Sequence, residues 1–350
     1  MRVLPTPLRR LLLPVQVAVV LVVLAAFAAA TVVAAAAAPF GRRRRPLRIC
    51  TFGMAYCSIE LVVIARAGLL WLRQPRAGRY HRSAEETWLE SNQALLGWAL
   101  TGILGAARRC FGFVVTIEAE PEPASFDDTD PALVLSRHAG PGDSFALVHL
   151  LMTRYGRRVP VVMKEILQLD PVVDLLLNRL GSCFLPAART DEDDRARCVG
   201  RTAASVGPGE ALLLFPEGAN WTPNRRWRAV SHLRERGERP ASRAALLMTH
   251  VLPPRLGGVL ACLDARPDLQ VMTVAHAGLD RITTIRRAWY AIPVDAPMTV
   301  RMWPAAPPPR TEQERRAWLR AEWVVVDEWV DRHHAGASSN GTESALPQPP

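Results

Sequence analysis

The chain lacks an acidic side chain anywhere before residue 49, although eight arginines stand in that stretch (Arg2, Arg9, Arg10, Arg42, Arg43, Arg44, Arg45 and Arg48). They supply most of a formal net charge of +10, and the rest of the chain nets only about +2. The basic excess is an end effect, and the body is too nearly neutral for an extended nucleic-acid phosphate groove. Zinc-type spacing is missing too: Cys50, Cys57, Cys110, Cys183, Cys198 and Cys262 make no CxxC pair and no Cys/His cluster. Scattered and mostly apolar-flanked, they predict a reduced compartment, with neither a disulfide framework nor a structural metal. No internal repeat is present, and Gly 22 and Pro 29 are far from a collagen-like share. With 49% hydrophobic and 22% charged residues over 350 positions, wholesale disorder is excluded and a well-buried core is within reach.

From Leu11 to Gly41 no charged residue occurs. As a helix this stretch would extend roughly 45 Å, against about 30 Å of hydrocarbon. A secretory signal's apolar core runs only about 7–15 residues, so residues 14–40 are expected to be a retained transmembrane anchor. A second apolar stretch, 49–72, carries Glu60 and Arg66. Charges near a bilayer centre cost roughly 3 kcal/mol or more, which predicts an interfacial or re-entrant segment. Residues 1–84 are therefore expected to hold the protein at the cell membrane, arginines toward anionic headgroups and the remainder in the cytoplasm.

Residues 85–108 have amphipathic helical spacing, 111–117 reads as a strand, and an acidic, proline-rich loop covers 118–131. Beyond it strands (132–136, 159–163, 183–185, 211–215, 269–275, 297–303) alternate with helices (143–155, 171–180, 191–206, 256–265). That alternation predicts an α/β domain over 85–334 with a largely parallel central sheet flanked by helices. Thr311 and Glu314 form a capping box for a last helix with Leu319, Trp323, Val326 and Val330 on one face. A polar tail, 335–350, is expected to be disordered.

Two turns carry chemistry. His138 follows the strand 132–136, and Asp143 lies five positions on, after Gly140, Pro141 and Gly142, at the donor-rich start of a helix. Such a turn can return the carboxylate to the imidazole, fixing its tautomer and leaving the other ring nitrogen as a general base. Phe215, Pro216, Glu217 and Gly218 leave a second apolar strand, and open α/β sheets place their sites at such strand ends.

The pair H-x4-D and F-P-E-G, its Glu 79 residues after the histidine, resembles the glycerolipid acyltransferases of the lysophosphatidate acyltransferase type. The resemblance runs from about residue 110 to 265. Lys164, Glu165, Ile166 and Leu167, then Pro171, Gly181, Phe184 and Arg189, look like the family's middle block. Residues 252–259, with Pro253, Pro254, Arg255, Gly257 and Gly258, are similar to a block of the lysocardiolipin-acyltransferase-like branch. The resemblance implies that His138 deprotonates the glycerol hydroxyl of a lysophospholipid for attack on an acyl-CoA or acyl-carrier-protein thioester, with Asp143 orienting it. It further implies that Phe215, Pro216, Glu217 and Gly218 line the acceptor site, with Lys164, Arg189 and Arg255 in substrate binding. Membrane lipids and the acyl donor are then the partners, with no nucleic acid, metal or cofactor. The chain departs from the family at Arg137, usually Asn, at Ala219, usually Thr, and at Arg189, two residues late. Arg225, Arg226 and Arg228 are further phosphate candidates or plain surface charge.

Two other readings compete. Gly142, Asp143 and Ser144 resemble the start of GDS-type serine esterases, and Asp331 with His334 their late D-x-x-H, although no G-x-S-x-G is present. A membrane-tethered binder of anionic lipid or nucleic acid would use the N-terminal arginines.

Overall fold

The computed structural model describes residues 6–40, 43–73, 82–118, 130–140, 142–186, 192–280, 282 and 284–339. It opens with four helices: α1 (Thr6–Leu11), α2 (Leu13–Ala37), α3 (Arg45–Arg73) and α4 (Arg82–Phe111). α2 carries no charge and buries only Val20 and Ala34. α3 returns along it, and a Cβ on Gly53 would come within 2.6 Å of the Phe27 ring, so glycine permits the close approach. Gly53, Cys57, Glu60, Val63 and Ala67 form the buried stripe of α3, at helical spacing. Glu60 is thus turned into the protein. Both α2 and α3 are long and apolar enough to cross a membrane, by length and composition alone.

The arginines around α2 bond to the protein itself. Arg9 pairs with Asp174 at 2.8 Å, Arg43 and Arg45 donate to the carbonyls of Tyr290 and Ile292, and Arg48 donates to that of Cys110. These four arginines therefore tie the N-terminal helices to the rest of the chain.

Seven strands follow: β1 (Val115–Ile117), β2 (Ala132–Ser136), β3 (Val162–Lys164), β4 (Cys183–Leu185), β5 (Ala211–Leu214), β6 (Gln270–Ala277) and β7 (Met298–Pro304). Five form a sheet in the order β1-β7-β6-β2-β5, in which only β6 and β7 run antiparallel. β3 and β4 form a parallel pair, linked to β5 by bridges at Arg158–Glu210 and Val161–Leu213. β2, at the centre, is buried along its whole length, as its unbroken apolar run requires. Helices α5 (Asp143–Thr153), α6 (Glu192–Ser205), α7 (Pro223–Glu235), α8 (Arg239–Leu247), α9 (Leu256–Ala265), α10 (Ile285–Ala291) and α11 (Glu312–Ser339) complete the domain. One core cluster joins the sheet to α3, α4 and α5, and the other joins it to α6, α9 and α11.

The expected alternation is present, with local differences. The stretch 159–163 is a bridged segment leading into β3, and 171–180 contains a π-helical turn at Val173–Leu177. α4 runs through Phe111, so the first strand begins only at Val115. α11 continues to Ser339, past the expected start of the tail; 340–350 and loop residues 119–129 lie outside the described residues. A disulfide, Cys183–Cys198, corrects the expectation drawn from cysteine spacing. Packing of α6 beside β4 brings the two Cα atoms to 6.3 Å, which a separation of 15 residues does not announce.

Candidate active site

β2 is registered with β5 so that Leu135 stands beside Leu214. The His138 turn and the Phe215–Gly218 turn therefore leave neighbouring parallel strands at the same level. After β2 the backbone bends to Gly142, which sits at φ 91 before Asp143 opens α5. A Cβ on Gly140 would fall 2.9 Å from the Leu279 carbonyl oxygen, so the turn has room only for glycine.

The Asp143 carboxylate folds back into this turn. Oδ2 lies 2.8 Å from His138 Nδ1 and accepts the Ala139 and Gly140 N–H groups at 2.9 and 3.2 Å. Oδ1 accepts the Ser144 N–H and hydroxyl at 2.6 and 3.2 Å. Burial alone would raise the pKa of Asp143, but the bond to His138, the nearby imidazoles and the Gly140 N–H outweigh it and lower the value. A buried carboxylate thus holds Nδ1, while the imidazole keeps 22% exposure and its Nε2. Phe215 lies against that ring, centroids 4.6 Å apart, and the Trp221 N–H donates to the His138 carbonyl at 2.7 Å.

Glu217 is buried. Its Oε1 accepts the His138 N–H at 3.1 Å and its Oε2 the Leu252 N–H at 2.8 Å. Burial pushes its pKa up to about 8, against the charge of Arg137 and the two N–H donors. The geometry therefore gives Glu217 the work of fastening the histidine turn to the loop that carries Arg255. Pro216 is buried, and its carbonyl accepts the Arg255 N–H at 2.8 Å. Gly218 sits at φ +65 with Arg255 lying over it, and a Cβ would meet that side chain at 3.3 Å.

Cations gather beside this turn. Lys164, the only lysine in the chain, ends β3. Partial burial lowers its pKa, and the charges of Arg225, Arg255 and Arg195 lower it further. Arg195 Nε is buried without a hydrogen-bond partner among the described residues. Arg189 lies outside the described residues. Lys164 thus lies within electrostatic reach of Arg255, and of Arg195 and Arg225, which the sequence reading did not group with it.

Two further residues support the His138 turn: Arg137, noted in the sequence only as a departure from the resembling family, and His276, which the sequence reading missed. Arg137 is fully buried; it ion-pairs with Asp280 and donates to the carbonyls of His250 and His276. His276, also fully buried, donates from Nε2 to the Arg137 carbonyl at 2.9 Å and stands 3.6 Å from Asp143 Oδ2. Burial lowers its pKa, with Arg137 acting the same way against Asp143 and Asp280. A signal for it existed: His276, Ala277, Gly278 and Asp280 echo the strand-ending His138, Ala139, Gly140 and Asp143.

The serine-esterase arrangement does not assemble. Ser144 lies in the first turn of α5 with its hydroxyl on Asp143, while Asp331 bonds His250 at 3.0 Å and His334 bonds Asp280 at 3.3 Å. No group of three or more metal-ligating side chains is present among the described residues.

Residues 115–276, from β1 into β6, match the family model described as Acyltransferase, and the segment contains His138, Asp143, Lys164, Glu217, Arg255 and His276. No curated protein matches the chain significantly in sequence. The crystal structure of the 1-acyl-sn-glycerophosphate (LPA) acyltransferase, PlsC, from Thermotoga maritima is similar, with a TM-score of 0.51 and 16% identity over 85% of this chain and 100% of that one. At that identity the likeness is one of fold. The segment matched by the Acyltransferase model spans less than half of the chain and carries both the His138–Asp143 turn and the Phe215–Gly218 turn.

Proposed function

We propose that this protein is a membrane-bound O-acyltransferase that moves a fatty acyl group from acyl-CoA or acyl-carrier protein to the glycerol hydroxyl of a lysophospholipid, lysophosphatidate first among them. The observation that carries the reading is the His138–Asp143 pair, 2.8 Å apart at a strand end with the carboxylate buried and the imidazole partly open. His138 Nε2 takes the proton of the acceptor hydroxyl as its oxygen attacks the thioester carbonyl. The C–S bond then breaks, and the thiolate recovers the proton from the imidazolium, which Asp143 stabilises. No serine or cysteine nucleophile is required.

The cations at Lys164 and Arg255 suit an acceptor phosphate, for which a guanidinium offers a bidentate fork. Residues 252–259 support the lysocardiolipin-acyltransferase-like branch. An acceptor that lives in a bilayer explains the apolar α2 beside the domain, with the catalytic side at the cytoplasmic face of the cell membrane. Full-length protein incubated with a lysolipid panel and labelled acyl donors tests the reading. His138→Ala is expected to lose about 10²–10⁴-fold in rate, and Ser144→Ala to stay within several-fold of wild type. Activity that survives His138→Ala and disappears in Ser144→Ala sinks the proposal.

A further inference from the structure

Between residues 223 and 247 stand seven arginines against only Glu235 and Glu238. Since everything after residue 48 nets about +2, this segment holds more than the whole basic excess of the domain. It folds as the helical pair α7 and α8. Arg226 ties the pair together, its Nη2 donating to the Leu246 carbonyl at 2.7 Å and its Nε to that of Met248. The turn inward uses Val230, Ser242 and Ala245, which are buried. Arg228, Arg234, Arg236, Arg239 and Arg243 are left exposed.

The clamp at Arg226 also fixes where the apolar side chains lie. Trp227, next to Arg226, is 57% exposed, and Leu247, between the two gripped carbonyls, is 80% exposed, the most open large hydrophobic side chain among the described residues. Arg239, Arg243 and Leu247 follow one another at i, i+4 and i+8, a single stripe of α8. The same end of the pair joins the active-site turn through Trp221, whose N–H holds the His138 carbonyl. A cationic face edged by an indole and a bare leucine has the chemistry of the water–lipid interface, where guanidinium meets phosphate and the apolar groups enter below it. Acidity alone in a partner matches only the arginines, whereas an anionic bilayer matches the arginines and the apolar pair together.

From this we infer that the outer face of α7 and α8 is a second membrane contact, docking on anionic headgroups through Arg228, Arg239 and Arg243 and inserting Trp227 and Leu247. It does not depend on the acyl-transfer reading, because it concerns where the domain sits and not what it catalyses.

The test uses the full chain with an environment-sensitive fluorophore at Leu247→Cys, in a Cys50→Ser background, Cys50 being the free cysteine that is not buried. Flotation with phosphatidylcholine vesicles, and with vesicles containing about one-third phosphatidylglycerol, holds the α2 anchor constant between the arms. The expected result is a blue-shifted probe on the anionic vesicles alone, reversed by high salt. Replacing Arg228, Arg239 and Arg243 by Glu is expected to abolish the shift while the chain still floats, each arginine counting for about fivefold in headgroup binding. Water-like emission on both vesicle types overturns the inference. So does a shift produced by an acidic acyl-carrier protein without vesicles, which would make the face a protein-docking site.

Discussion

Glu217 and Arg137 show how single side chains set this site without reaching the reacting atoms. Removing the Glu217 carboxylate in Glu217→Ala leaves the His138 and Leu252 N–H groups unpaired and buried, at an expected cost of about 2–4 kcal/mol. Its folded pKa of about 8 lies above the ordinary 4.5. An acid raised in this way stabilises the fold fully below its unfolded value and loses that contribution as pH rises through its folded value. Wild type should therefore lose melting temperature between about pH 5 and pH 8, and Glu217→Gln, with no proton to lose there, should lose less. Thermal melts of both at the two pH values decide it, equal slopes being the contrary result. Asp143 and Asp280 are lowered, so their contribution acts in the opposite window, lost only under acid. Arg137, where the resembling family usually has Asn, neutralises Asp280. Arg137→Asn is expected to cost about 3–5 kcal/mol by stranding that carboxylate, measured by denaturant unfolding, and Arg137→Asn with Asp280→Asn should recover part of it.

At the scale of elements, the loop between α8 and α9 shows the division of labour. Asp327 of α11 accepts the N–H groups of Thr249, His250 and Val251 at 3.0, 2.6 and 3.1 Å. Arg137 holds the His250 carbonyl, and Glu217 the Leu252 N–H, so three elements fix the loop that delivers Arg255. Asp327→Ala is expected to raise KM for a phosphorylated acceptor about tenfold while kcat holds, the loss of one charge contact of roughly 1.4 kcal/mol. Steady-state kinetics check it, and an equal fall in kcat would count against it. α11 itself was legible, because Thr311 and Glu314 cap each other as expected and Trp323 and Val326 are fully buried. α7 and α8 were not, because they are short and rich in arginine, and Arg226 joins them by side-chain bonds to carbonyls. Of the site, His138, Asp143 and Glu217 stood out because strand-ending turns force residue types; Arg195 did not, because a helix surface arginine has no local signature.

The whole molecule constrains how it meets a bilayer. α2 is about 37 Å long, yet Arg9 before it pairs with Asp174, and Arg43 and Arg45 after it bond to Tyr290 and Ile292 of the same domain. A helix tied to one domain at both ends lies along that domain. Cysteines placed at Leu11 and Ala37 in the Cys50→Ser background are thus expected to react with a membrane-impermeant maleimide from the side of the catalytic domain, both of them. Reaction of only one end would mean that α2 crosses. The sequence by itself determined the apolar N-terminal helices, the α/β alternation and the His138–Asp143 pairing, because each follows from periodicity or from a turn a few residues long. Only the tertiary structure decided the Cys183–Cys198 bond, the clamp of Arg137 on Asp280 and the N–H groups held by Glu217 and Asp327. Those contacts join residues 15 to more than 140 positions apart, and no local pattern encodes which distant groups the packing of sheet and helices will bring within bonding distance.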